Sequence, residues 1–155
     1  MFNDYKSFIL QKPDKRLRQV CLKVINFKEA KEIADKLIEI TKKVDGPLKI
    51  SLGMAAPQVG YDKRVIILRK SQGEYTVMVN PKIVKQKWNL PIFSRCFSVD
   101  GVFIIKSPYW IKIEYQDLQG NYNSEVLRGV KAVTLQQEID HINGVLISDI
   151  GLRLL

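Results

Sequence analysis

The chain has one histidine and two cysteines in 155 residues, and each scarcity closes off a class of protein. Cys21 and Cys96 are too few for a disulfide framework. A small secreted scaffold stapled by bridges is excluded, and a reducing compartment is the expected setting. No run of about 18 apolar residues occurs, which excludes a transmembrane helix and a membrane partner of that kind. The first eleven residues carry Asp4 and Lys6 and lack an apolar stretch with a small-residue cleavage site, so no secretory signal is read there. No internal repeat, linker or low-complexity tract is found.

What the chain does have is apolar content, 46% of its residues, enough for one packed core and too short a length for two. Residues 1–155 are expected to form a single domain, in the cytoplasm or, in a eukaryote, an organellar matrix. Lys and Arg number 25 against 16 Asp and Glu, a formal charge of +9. Such a surface attracts polyanions such as RNA or the ribosome at long range, with no sequence-specific nucleic-acid motif. Solubility is the plainer reading of the same lysines.

Residues Pro13 to Arg18 read as a turn opening a short ordered segment, after which Val20, Leu22 and Val24 alternate as a half-buried strand would. From Asn26, an N-cap, to Val44, the residues Phe27, Ala30, Ile33, Ala34, Leu37 and Ile40 recur at three and four. This predicts an amphipathic helix, ended by Asp45-Gly46-Pro47. The segment Ser51 to Gly60 is small and apolar around a single amide, Gln58. Arg64–Leu68 and Tyr75–Asn80 predict a hairpin across Ser71–Glu74, with Pro81 breaking the pairing before Ile83–Lys87. Further strands are predicted at Val99–Ile105, Trp110–Tyr115 and Tyr122–Leu127, with a turn at Asp117–Gly120. A last helix is expected over Ala132–Asn143, closed by Gly144. Helix, antiparallel strands, helix is an α+β order.

On that last helix, Gln137, Glu138 and His141 share one side, because i and i+4 stack and i+1 flanks them. The fragment E-x-x-H is half of the H-E-x-x-H pattern, in which two imidazoles bind a metal beside a proton-handling glutamate. Alone it is weak, since such a spacing also arises on a solvated helix with one packed histidine.

Three collinear stretches resemble the peptide deformylases, metal hydrolases that remove the formyl group from the N-terminal methionine of new polypeptides. Ser51-Leu52-Gly53-Met54-Ala55-Ala56-Pro57-Gln58 is similar to G-x-G-x-A-A-P-Q. Ser94-Arg95-Cys96-Phe97-Ser98 is similar to E-G-C-[LF]-S, and Gln136 to Gly144 is similar to Q-H-E-x-D-H-x-x-G. The resemblance implies the deformylase fold: antiparallel sheets around the C-terminal helix, plus an N-terminal helix. It also implies one divalent metal ion (iron, zinc or nickel) on Cys96 and His141, with Gln137 at the third ligand position. Glu138 would be the acid/base, and Gln58 with the backbone N–H of Phe97 would hold the oxyanion. Gly53 and Leu52 would contact a formyl-methionyl peptide, whose methionine would enter a pocket walled by Leu52, Val130 and Val133.

The departures lie round the same site. Gln137 reaches as far as a histidine Nε2 but offers a neutral amide oxygen, a poorer donor to zinc or iron than imidazole. Ser94 stands at a family glutamate, Arg95 at a glycine beside which substrate passes, and Asp100 and Phe103 at family proline and arginine positions. The long C-terminal helix that the resemblance associates with ribosome docking is not expected in residues 1–155. Two functions follow: a deformylase with an altered or impaired metal site, or a degenerate relative that binds peptide N-termini or the ribosome without turnover.

Overall fold

The Asn26 side chain accepts the amide N–H of Lys28 at 3.0 Å and so opens α1, Phe27–Asp45, in a computed structural model that describes residues 5–45, 52–71 and 73–155. The predicted stripe is the buried one: Ala30, Ile33, Ala34, Leu37 and Ile40 are all buried. Each buried Ile or Leu contributes about 1.5–3 kcal/mol of transfer free energy. The surface pairs Lys31–Asp35 and Lys43–Glu39 add only about 0.2–0.5 kcal/mol each, so packing places the helix. Gly46, Pro47 and Ser51 lie outside the described residues.

One antiparallel sheet follows, built from β1 (Gly53–Ala55), β2 (Val65–Ser71), β3 (Glu74–Cys96), β4 (Val99–Gln116) and β5 (Tyr122–Arg128) in that spatial order. Alternation sends Val65, Ile67 and Val79 to α1, and Ile66, Leu68, Met78, Ile111 and Ile113 to the other face. Against that second face packs α2, Val130–Ile142, through Ala132, Leu135, Ile139 and Ile142. A short α3, Ile147–Ile150, and β6, Leu152–Arg153, close the chain, with β6 paired to β4.

Several expectations are corrected. Val20, Leu22 and Val24 form no strand: Val20 and Leu22 are exposed while Cys21 and Val24 are buried, and Leu22 makes only an isolated bridge to Lys63. Here the backbone is tied piecemeal, Cys21 N–H to the carbonyl of Ile142 and Val24 N–H to the side chain of Asn80. Pro81 does not end its strand. It lies in a register shift of β3 against β4, between the pairs Val79–Gln116 and Lys82–Glu114, just after pairing with β2 stops at Val79. Val99–Ile105 and Trp110–Tyr115 are one strand, β4. Pro108 is tolerated inside it because β4 pairs with β3 there, while pairing with β5 begins only at Trp110. The last helix starts at Val130, two residues early, because Gly129 takes φ 63° and turns the chain directly into it.

Gly144 ends α2 at φ 74°, where a Cβ would lie 2.5 Å from the carbonyl oxygen of Arg18. That contact brings the 3-10 turn Lys15–Arg18 against the end of the helix. Leu17 then joins Val99, Phe103, Ile105, Leu146 and Ile147 in a small core beside the site. Phe103, one of the departures noted in the sequence, is thus a core residue.

Candidate active site

Cys96 is the last residue of β3 and pairs with Val99 across a two-residue turn, Phe97-Ser98. A turn this tight fixes the thiol, and the N–H of Ser98 lies 3.4 Å from its Sγ. From the facing side, α2 presents Gln137 and His141 one turn apart. The Cys96 Sγ and His141 Nε2 are 3.3 Å apart. The Gln137 amide N–H donates to the hydroxyl of Ser94, so two of the residues at which the motifs depart are partners here.

Glu138, on the same helix, is buried at 5% exposure. Gln58 lies in the 3-10 turn Ala56–Val59 that follows β1. Its carbonyl oxygen accepts the N–H of Ala55 at 3.1 Å, and its amide nitrogen donates to the Ser98 hydroxyl at 3.2 Å. One of that nitrogen's two hydrogens remains for another acceptor.

Burial dominates the electrostatics. It pushes the Cys96 thiol up to about 12, with Glu138 adding to the rise against hydrogen bonds from the turn. It raises Glu138 to about 8, with Asp140 adding repulsion, raises Asp140 itself to about 6, and lowers His141 to about 4. Without a counter-charge the thiol, carboxyl and imidazole are all driven to neutrality. Glu138 Oε2 and His141 Nδ1 are also buried without a hydrogen-bond partner among the described residues.

A divalent cation would reverse each of these penalties. Bonds of about 2.3 Å to sulfur and 2.0 Å to nitrogen at a tetrahedral angle put the two donor atoms about 3.5 Å apart, close to the 3.3 Å observed. The residues therefore fit a metal with two firm donors. No third His, Cys, Asp or Glu converges on it among the described residues, which leaves Gln137 or solvent to complete the shell.

Toward the N-terminus of α2 a cavity of about 400 Å³ opens, lined by Leu52, Leu68, Met78, Leu127, Val130 and Thr134 among others. Two of the three expected wall residues, Leu52 and Val130, line it. Val133 does not, and Thr134, on the next position of the helix, takes its place. Gly53 borders this region: a Cβ there would meet the carbonyl oxygen of Ile67 at 3.0 Å and the methyl of Thr134 at 3.1 Å. Arg95 is exposed at a bulge between Ser94 and Cys96.

Two further residues were not assigned from the sequence. Ser98 is fully buried and joins three parts of the site, through its hydroxyl to Gln58, its N–H to Cys96 and its carbonyl to the N–H of Lys12. Its place at the end of the second motif is the signal for it. Gln11 donates to the Phe97 carbonyl at 2.8 Å and braces the same turn. No local pattern announces a contact between residues 86 positions apart.

A family model described as polypeptide deformylase matches residues 7–151. The peptide deformylase of Desulfotalea psychrophila is 33% identical over 148 residues, covering 88% of this chain and 82% of that protein. Among solved structures, a peptide deformylase from Thermotoga maritima superposes with a TM-score of 0.83 at 31% identity, covering 92% of this chain and 95% of that one. A probable peptide deformylase from synechococcus phage S-SSM7 superposes at 0.82 with 34% identity, over 92% and 97% of the two chains.

Proposed function

The chain belongs to the polypeptide deformylase family, and on that premise we propose that it hydrolyses the formyl group from formyl-methionyl peptides at the Cys96–His141 centre, with a third-ligand position altered to Gln137. The observation that carries this reading is the pair of donor atoms 3.3 Å apart beside a buried glutamate. A divalent metal held by Cys96, His141 and the Gln137 amide oxygen would supply Lewis acidity to the formyl carbonyl and to water. The amide oxygen is the free end of Gln137, since its nitrogen is engaged by Ser94. That hydrogen bond orients the side chain as an outer partner orients a metal ligand.

The remaining chemistry belongs to the chain. Glu138, buried within the site, takes the proton of the attacking water and passes it to the leaving amine, the task of a positioned general acid/base. The second amide hydrogen of Gln58 and the backbone N–H of Phe97 receive the carbonyl oxygen as charge develops. Such a donor is worth about 3 kcal/mol of barrier. The peptide backbone runs along the edge strand β1 beside Gly53, and its methionine enters the cavity past Leu52. Arg95, beside that path, narrows it and favours an acidic group on the peptide.

The test is metal content by elemental analysis of anaerobically purified protein, with formyl-Met-peptide hydrolysis measured on the same sample. Near-stoichiometric iron, zinc or nickel with chelator-sensitive turnover is expected. Metal-free protein with no turnover after metal is restored would favour the second reading, a peptide-binding relative without turnover. That reading draws on the lack of a third charged or imidazole ligand among the described residues. Gln137→His should then gain both tight metal and faster hydrolysis. If it gains neither, the defect lies with Ser94 or Arg95.

A further inference from the structure

We propose that the solvent-facing side of β3, β4 and β5 is an RNA-docking surface, independent of whether the centre turns over. The face covered by α1 at β1 and β2 is left open further along the sheet. On β4, Ile111, Ile113 and Tyr115 point to the core, so Trp110, Lys112 and Glu114 point outward.

The register extends each into a row across three strands. One row is Lys82, Glu114 and Ser124; the next is Lys85, Lys112 and Val126; the third is Lys87, Trp110 and Arg128. Five cations and one acid share the patch, with neighbours about 5 Å apart across strands and about 7 Å apart along them. None of the five forms an ion pair among the described residues.

Three features set this patch apart from lysines that serve only solubility. First, Lys85 and Lys112 are directly opposed, an arrangement that disfavours the sheet. Lys112 also lies on a central strand, where no exposed edge needs guarding. Second, the lysines of α1 are handled differently: five lysines meet five acids within that helix, and Lys31, Lys36 and Lys43 are each ion-paired. Third, the patch carries aromatic rings. The Lys87 ammonium lies 4.4 Å from the ring centre of Trp110 and 4.9 Å from that of Trp88, which is 57% exposed. Cations without ion pairs, interleaved with one exposed ring, Trp88, and one half-buried ring, Trp110, match the phosphates and base faces of RNA. An anionic lipid surface would use the charge and leave the rings on a sheet face without an inserting element.

The experiment is fluorescence anisotropy of a labelled RNA hairpin with the whole protein across a salt series. Replacing Lys85, Lys112 and Arg128 together by Gln should weaken binding roughly tenfold or more and lower the salt slope by about 3. The matched set Lys31→Gln, Lys36→Gln and Lys42→Gln, with the same loss of net charge, should leave binding nearly unchanged. Thermal unfolding of both triples checks that neither has lost its fold. Equal weakening by the two triples, absence of RNA binding near physiological salt, or tighter binding to phosphatidylserine vesicles than to RNA would each overturn the proposal.

Discussion

Glu138 and Gln58 carry separable tasks at the proposed centre, and single substitutions should resolve them. Glu138→Ala removes an acid/base but no metal ligand. Metal content should stay nearly as in the parent protein while turnover falls by about 10²–10⁴, the usual range for such a group. Unchanged turnover would remove Glu138 from the mechanism. Gln58→Ala removes a donor to the developing oxyanion, so kcat should fall about 10²–10³-fold with little change in KM. Because Gln58 also bonds Ala55 and Ser98, its unfolding midpoint must be measured beside the kinetics. A drop in stability with kcat intact would make Gln58 a brace for the turn only.

Between elements, Asn80 acts as a joint. Its carbonyl oxygen accepts the Val24 N–H at 2.8 Å, and its amide donates to the Val24 carbonyl at 3.0 Å and to Gln116 at 2.9 Å. It does so at φ 50°, a conformation asparagine tolerates better than most residues. Asn80→Ala should therefore cost about 2–4 kcal/mol in urea unfolding, where an ordinary surface substitution stays within about 0.5 kcal/mol. This junction also shows what was legible in the sequence. The 3.6-residue stripe of α1 and the β-branched run of β2 are local signals, and the structure follows them. The joining of β3 through Pro81, and the irregular course of Val20–Val24, are decided by partners far along the chain. Nothing within a ten-residue window encodes them. The site divides the same way. Three motifs bring together Cys96, His141, Gln137 and Gln58, but the contact between Gln137 and Ser94 and the brace from Gln11 needed the fold.

For the molecule as a whole, acid stability should follow carboxylates that are paired in the native state. Asp149 is held below its ordinary 3.8, first by its hydrogen bond with Arg18. A depressed native pKa adds stability that is present above 3.8 and is lost as pH falls through the lower native value. Arg18→Ala should lower stability at pH 7 by about 1 kcal/mol or less, because both partners are partly exposed. The difference from the parent protein should shrink as the pH drops below 3.8. A gap that persists in acid would mean Arg18 acts through packing. The placing of Gln137 against Ser94 also bears on heredity. Glutamine and histidine codons differ only in their third base, and a serine hydroxyl can accept from the ring N–H of a histidine as readily as from an amide. A single nucleotide therefore separates this gene from one encoding a three-ligand centre with a supporting partner already in place, a step that selection for deformylation in a growing culture would quickly reveal.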